Sequence, residues 1–247
     1  MADERGSPEQ QILTIIRDSV QPMGCGAISR LLQKQGFSIS EATVGRLLRD
    51  MDNQGHTEKA GFQGRLLSPK GIDRLALLEN KQKGRQWGEE FASILNGHSK
   101  EDLLEVLIAR RAIESELAYL AAVNRTEAEA RALHEVLERQ RLALAAGSGA
   151  AQEDVDFHAI ICLMARNRVL EAAVSLIRQD TQLSPILEFI RRHVKSLVYI
   201  DHQKVAEAIA EGQANSAREG MIEHINNLIR DVEKYWKLSE NHKESAL

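Results

Sequence analysis

From residue 89 to about residue 238 the apolar side chains return every three or four positions, a spacing that lines up one face of a helix and not of a strand. The periodic segments are 103–123, 126–146, 152–165, 169–192 and 205–236, the last with Gly212 inside it. Gly147-Ser148-Gly149 interrupts the pattern as a loop. Amphipathic helices bury their stripes only against one another, so residues 103–238 are expected to form an antiparallel bundle of six or seven helices.

The first 79 residues follow another plan. Pro8-Glu9 opens a helix carrying Ile12, Leu13, Ile15, Ile16 and Val20, which Pro22 and Gly24 break. A second helix holds Ile28, Leu31 and Leu32 and closes at Gly36. Ser40 stands where an N-cap belongs, and Val44, Leu47, Leu48 and Met51 recur at helical spacing up to Gly55. The stretches 56–60 and 65–68 flank Gly61-Phe62-Gln63-Gly64, which suits a hairpin, and Pro69 starts a further helix through Leu78. Three helices and a hairpin is the order of a winged helix-turn-helix. The polar residues 80–88, with Gly84 and Gly88, mark the boundary, and 80–102 read as a linker and connecting helix. The expected fold is therefore mainly all-α, with one short β-hairpin wing.

No apolar run approaches the roughly 18 residues of a membrane span, and the charged N-terminus shows no export signal. The two cysteines, Cys25 and Cys162, form no paired motif, so a reducing cytoplasmic location is expected. Net charge is −4, which by itself disfavours a nucleic-acid partner. Its distribution reverses the argument: residues 1–85 hold 13 Lys and Arg against 10 Asp and Glu, while the remainder holds 19 against 26.

With Val44, Leu47, Leu48 and Met51 turned inward, Ala42, Arg46, Arg49 and Asn53 share the outer face of the third helix, flanked by Thr43 and Gly45. Arginine reads guanine edges or phosphates, and Ser40 and Thr43 near the helix start suit phosphate. Lys59 and Arg65 lie on or beside the wing, within reach of the DNA backbone. The competing account is a set of solvated polar residues on a small helical domain.

In the bundle, Asp154 and His158 are four residues apart on one helix face. His202 and His224 are separated by 22 residues with Ala206, Ile209, Ala217 and Met221 as the apolar stripe between them. One carboxylate and three imidazoles facing a bundle interior suit a borderline divalent metal, with zinc, nickel and manganese all open. Cys162, one turn beyond His158, reads as a small core residue.

Residues Ile12 to Leu75 resemble the winged helix of NrpR-type regulators through Gly26-Ala27-Ile28, Leu31-Leu32, Gly36-Phe37, Thr43-Val44, Leu47-Leu48, Gly55 and Gly61 to Arg65. The proline-serine-glutamate segment of the usual GntR-type reader is missing. Residues Leu103 to Tyr235 resemble the FCD (FadR C-terminal) domain of GntR-family regulators. Arg110 to Glu114, Leu120-Ala121-Ala122, Asp154 to His158, Ile161, Ala165, Asn167, His202, Ala208-Ile209, Gly212, Ala217, Met221 and His224 carry this resemblance. It implies a metal held by Asp154, His158, His202 and His224 and an organic acid approaching it. It also implies that Arg110 faces the cavity and pairs with the acid's carboxylate; an ion pair with Glu114 at i+4 is the alternative.

The expected function is a ligand-responsive transcription regulator: a homodimer presenting two winged helices to an operator in double-stranded DNA. A protein-interaction adaptor built on the winged helix is one alternative. A metal-dependent hydrolase is another, but no nucleophile motif, extra carboxylate pair or phosphate loop accompanies the histidines. No enzymatic activity is expected.

Overall fold

The computed structural model describes residues 6–97, 99–178, 180–196 and 198–244. They contain eleven helices and a single two-stranded antiparallel sheet. The chain divides into two compact units, Met1–Ala92 and Ser93–Leu247. Among the described residues no helix is long and apolar enough to cross a membrane.

In the first unit, α1 (Pro8–Asp18) starts with proline in its first turn and with Ser7 Oγ accepting the Gln10 N–H. Helices α2 (Cys25–Lys34) and α3 (Glu41–Asn53) follow, with Ser40 capping α3 by accepting the Thr43 N–H. Ile12, Leu13, Ile28, Leu32, Val44 and Leu48 are fully buried between these helices, each burial contributing about 1.5–3 kcal/mol. Strands β1 (Thr57–Lys59) and β2 (Arg65–Leu67) pair in the register Thr57 to Leu67, and Met23 bridges to Arg65. The wing is thereby tied to the α1–α2 connection. Gly64, at φ 137°, permits this: a Cβ there would lie 2.4 Å from the Met23 carbonyl carbon.

Helix α4 (Pro69–Leu95) extends well past Leu78 and through Gly84 and Gly88. Each glycine costs a helix about 1 kcal/mol relative to alanine, but the Lys, Gln, Arg and Glu residues around them are good helix formers. An Arg85–Glu89 pair at i,i+4 adds to them.

The second unit is a bundle of α5 (Lys100–Asn124), α6 (Glu127–Ala145), α7 (Ala151–Ala165), α8 (Arg168–Arg178), α9 (Asp180–Val194), α10 (Val198–Ala210) and α11 (Ala214–Glu244). Two helices start with reciprocal caps, Ser99 with Asp102 for α5 and Thr126 with Glu129 for α6. Helix α5 packs along α11 and against α7, and Ala118, Ala121 and Ala122 are buried there, where small side chains allow close approach. Phe157, Ile161, Met221 and Ile225 fill the same core.

Two expected long helices are each divided. The 169–192 period is carried by α8 and α9. The 205–236 period breaks at Gly212, whose φ of 74° closes α10, with Gly212 N–H donating to Ile209 O and Gln213 N–H to Ala208 O. The stripe continues across the break because Ile209 and Ala217 face the same core.

Candidate metal and effector site

Three helices each deliver one histidine to the centre of the bundle: His158 from α7, His202 from α10 and His224 from α11. All three are buried, and their ligand atoms lie within 4.8 Å of one another. Each ring has its Nδ1 turned toward a polar partner. His158 Nδ1 is 2.5 Å from Glu114 Oε2, His202 Nδ1 is 2.9 Å from Gln140 Oε1, and His224 Nδ1 faces Asp201 Oδ2 at 3.9 Å. The three Nε2 atoms have no hydrogen-bond partner among the described residues. Phe157 holds two of the rings in place, stacked on His202 at 4.1 Å and edge-on to His158 at 5.3 Å.

Around the imidazoles lies a second layer of charge. Arg110 Nε donates to Glu114 Oε1 at 2.6 Å, and Arg178 lies 3.5 Å from Glu114 Oε2. Asp154 accepts from Arg191 at 3.0 Å and from Arg178 at 3.2 Å, with its Oδ1 3.6 Å from His202 Nε2. Asp154 thus borders the histidine cluster while engaged by two guanidinium groups. Arg110 sits in the ion pair with Glu114, and its NH2 has no partner among the described residues.

Burial pushes the His158 imidazole down to about 4, and the Arg178 charge adds to the effect. Burial likewise lowers His202, with His224 contributing, and lowers His224. All three rings are therefore neutral at neutral pH. Burial alone would raise the Glu114 and Asp154 carboxyls, but Arg110 beside the first and Arg191 beside the second outweigh it and hold both well below the ordinary carboxylate range.

These features fit a divalent metal. A ligating histidine needs a neutral ring, one nitrogen oriented by an outer acceptor and the other left open; His158 and His202 meet that description, while His224 Nδ1 faces Asp201 from 3.9 Å, beyond hydrogen-bond distance. The buried arginines Arg110, Arg178 and Arg191 balance the carboxylates Glu114, Asp154 and Asp201, so a divalent cation would leave an excess positive charge that suits an anionic ligand. Two cavities adjoin the cluster. One of about 100 Å³ is lined by Gln140, Asp154, Leu187, Arg191 and Lys195; one of about 210 Å³ is lined by His158, Cys162, Val174 and Arg178.

In the first unit, Arg46, Arg49 and Lys59 are exposed, as are Ala42 and Asn53. Ser40 and Thr43 are linked at the start of α3, their hydroxyl oxygens 3.0 Å apart. Arg65 is placed differently: its guanidinium binds Asp52 through Nε at 2.9 Å and through NH2 at 2.9 Å, bracing β2 against α3.

Residues 105–227 match the FCD domain family. Over 138 residues the chain is 26% identical to the HTH-type transcriptional regulator LutR of Bacillus subtilis, covering 54% of this chain and 63% of that one. It is 28% identical over 129 residues to the Uxu operon regulator of Haemophilus influenzae, covering 50% and 48%. The chain carries an FCD domain, and over that region it is similar to GntR-type transcription regulators. The histidine cluster lies within this FCD domain.

Residues 10–75 match a different family, the ribonuclease R winged-helix domain. An 86-residue match, 31% identical, to the global nitrogen regulator NrpRI of Methanosarcina mazei covers 35% of this chain and 24% of that protein. None of these three matches spans two thirds of the relative's own length.

Sequence reasoning missed four FCD-domain residues that border the cluster: Gln140, Arg178, Arg191 and Asp201. Gln140, Arg178 and Arg191 each follow a buried apolar residue by four positions, namely Val136, Val174 and Leu187. A polar residue on an inward stripe was the available signal.

Proposed function

We propose that this FCD protein is a homodimeric transcription regulator that binds operator DNA through its winged helix and senses a small organic acid at a metal site in the bundle. The observation carrying the sensor reading is the trio of buried Nε2 atoms without partners, each on a ring whose Nδ1 faces an acceptor. His158, His202 and His224 would hold the ion, with Asp154 as the adjoining carboxylate. Zinc, nickel or manganese bound there supplies positive charge and open coordination positions for an acid's oxygen. Glu114, Gln140 and Asp201 orient the rings, while the surrounding arginines attract the anion and offset its burial.

In the winged helix, Arg46 and Arg49 read base edges or phosphates from α3, with Ser40, Thr43 and Lys59 contacting the backbone. Arg65 contributes through its brace to Asp52, which sets the angle of the wing. An acid alters DNA binding only if it binds one arrangement of the two DNA-binding heads more tightly than the other.

The test is elemental analysis of tag-free protein beside a His158→Ala, His224→Ala double variant. Near-stoichiometric metal in the wild type and loss in the variant support the site. Absence of metal in both, even after incubation with zinc, nickel and manganese, overturns it.

A further inference from the structure

Most glycine-closed helix ends in this chain follow one rule. Gly36, Gly55, Gly147 and Gly212 take the left-handed conformation after α2, α3, α6 and α10, at φ between 71° and 85°. Only two described non-glycine residues adopt positive φ, Arg166 after α7 and Lys195 after α9. Arg166 has evident contacts, since its guanidinium donates to Met164 O and to Glu129. Lys195, at φ 58°, closes α9 as Gly212 closes α10, with Lys195 N–H donating to Arg192 O and Ser196 N–H to Arg191 O, but its side chain has no partner among the described residues.

Lys195 lines the cavity of about 100 Å³ that reaches Asp154. The same cavity is lined by Arg191, whose side chain is only 10% exposed and whose Nε and NH2 lack partners among the described residues. Its two carboxylates are already engaged: Asp154 by Arg178 and Arg191, and Glu188 by Arg192 at 3.4 Å and the Ala150 N–H at 3.2 Å. Lys195 and the spare donors of Arg191 therefore border a space whose carboxylates already have partners.

From this we infer that the effector is a small acid with two anionic groups, one directed to the histidine cluster and the other held by Arg191 and Lys195. The inference rests on the organic-acid reading of the FCD site and adds the second anion to it. A carboxylate and a phosphate both offer oxygens to these donors, and the test separates them.

Calorimetric titration of the full-length metal-loaded protein uses dicarboxylates from malonate to adipate, monocarboxylates of the same carbon number, and 2-phosphoglycolate. At least one diacid should bind about tenfold more tightly than its matched monoacid, the worth of one charge-assisted contact. Tighter binding of 2-phosphoglycolate than of any dicarboxylate would identify phosphate as the second anion.

Lys195→Gly suits the left-handed backbone, so its ligand-free melting temperature should equal or exceed the wild type's, yet the preference for two anions should vanish with the metal retained. Lys195→Arg should keep the preference. Equal binding of matched diacids and monoacids, with no preference for the phosphate probe, overturns the inference, as does a preference that survives in Lys195→Gly; either leaves the sensor reading intact. Metal-loaded protein that binds none of these acids overturns both.

Discussion

Replacing Glu114 by glutamine should be far more damaging than replacing Arg110 by methionine, although the two residues form one ion pair. Glu114 is the only carboxylate within ion-pair distance of Arg110 among the described residues, whereas Glu114 also has His158 at 2.5 Å and Arg178 at 3.5 Å. Glu114→Gln strands a guanidinium that is 2% exposed, and an uncompensated buried charge costs about 3–5 kcal/mol. At about 2–4 °C per kcal/mol for a unit of this size, the melting temperature should fall by roughly 6–20 °C. Arg110→Met removes a charge whose partner, Glu114, keeps the Arg178 guanidinium and the neutral His158 ring beside it, and the methionine fills much of the volume, so the loss should stay near 1–2 kcal/mol. Glu114→Gln should also weaken metal binding about 10- to 100-fold, because it alters the group that orients His158. Calorimetric melts of both variants, with and without chelator, measure the difference. A Glu114→Gln protein that melts within about 3 °C of the wild type, or an Arg110→Met protein that loses more, would refute the asymmetry.

Acid should destabilise the metal-free protein early. The unfolded His158 takes a proton near 6.5 and the folded one only near 4, so stability falls as pH drops through that window, with Glu114 and Asp154 adding losses at lower pH; urea midpoints against pH read this, and a flat profile contradicts it. Arg46→Ala and Arg49→Ala should each reduce the slope of log K for DNA against log salt by about 1 if the side chain meets a phosphate, and an unchanged slope would remove that residue from the phosphate contacts. Gly64→Ala should destabilise the winged helix by about 1–3 kcal/mol and weaken DNA binding, because the new Cβ meets the Met23 backbone at a φ of 137°; thermal melts and gel shifts report both, and a neutral result would mean that the wing is not anchored at Met23.

Local chemistry made much of the fold legible in the sequence. Ser40 before Val44, the glycines at 61 and 64, and the helical spacing from residue 103 onward act through nearest neighbours, and each has its counterpart in α3, the wing and the bundle. Element ends were harder to place. Gly84 and Gly88 lie inside α4, yet Gly212 ends α10, although each is one glycine in a helical pattern. The difference lies in the backbone: Gly212 takes a φ of 74° that closes α10 through two carbonyl bonds, while Gly84 and Gly88 continue the i,i+4 ladder.

The three histidines could be named from the sequence because His202 and His224 flank an apolar stripe, which turns inward whatever the topology, and His158 shares a helix face with Asp154. The sequence alone could not decide which partners would meet them. Glu114, Gln140, Arg178, Arg191 and Asp201 come from α5, α6, α8, α9 and α10, and the 2.5–3.9 Å distances from the histidines to partners up to 62 residues away exist only once those helices pack. Arg110 and Arg65 illustrate the same division. Their charge and approximate face were readable, but the carboxylates that hold them, Glu114 and Asp52, act through side-chain geometry that only the packed structure decides. Periodicity specifies which face is buried, whereas electrostatic pairing depends on what the opposing helices bring to that face.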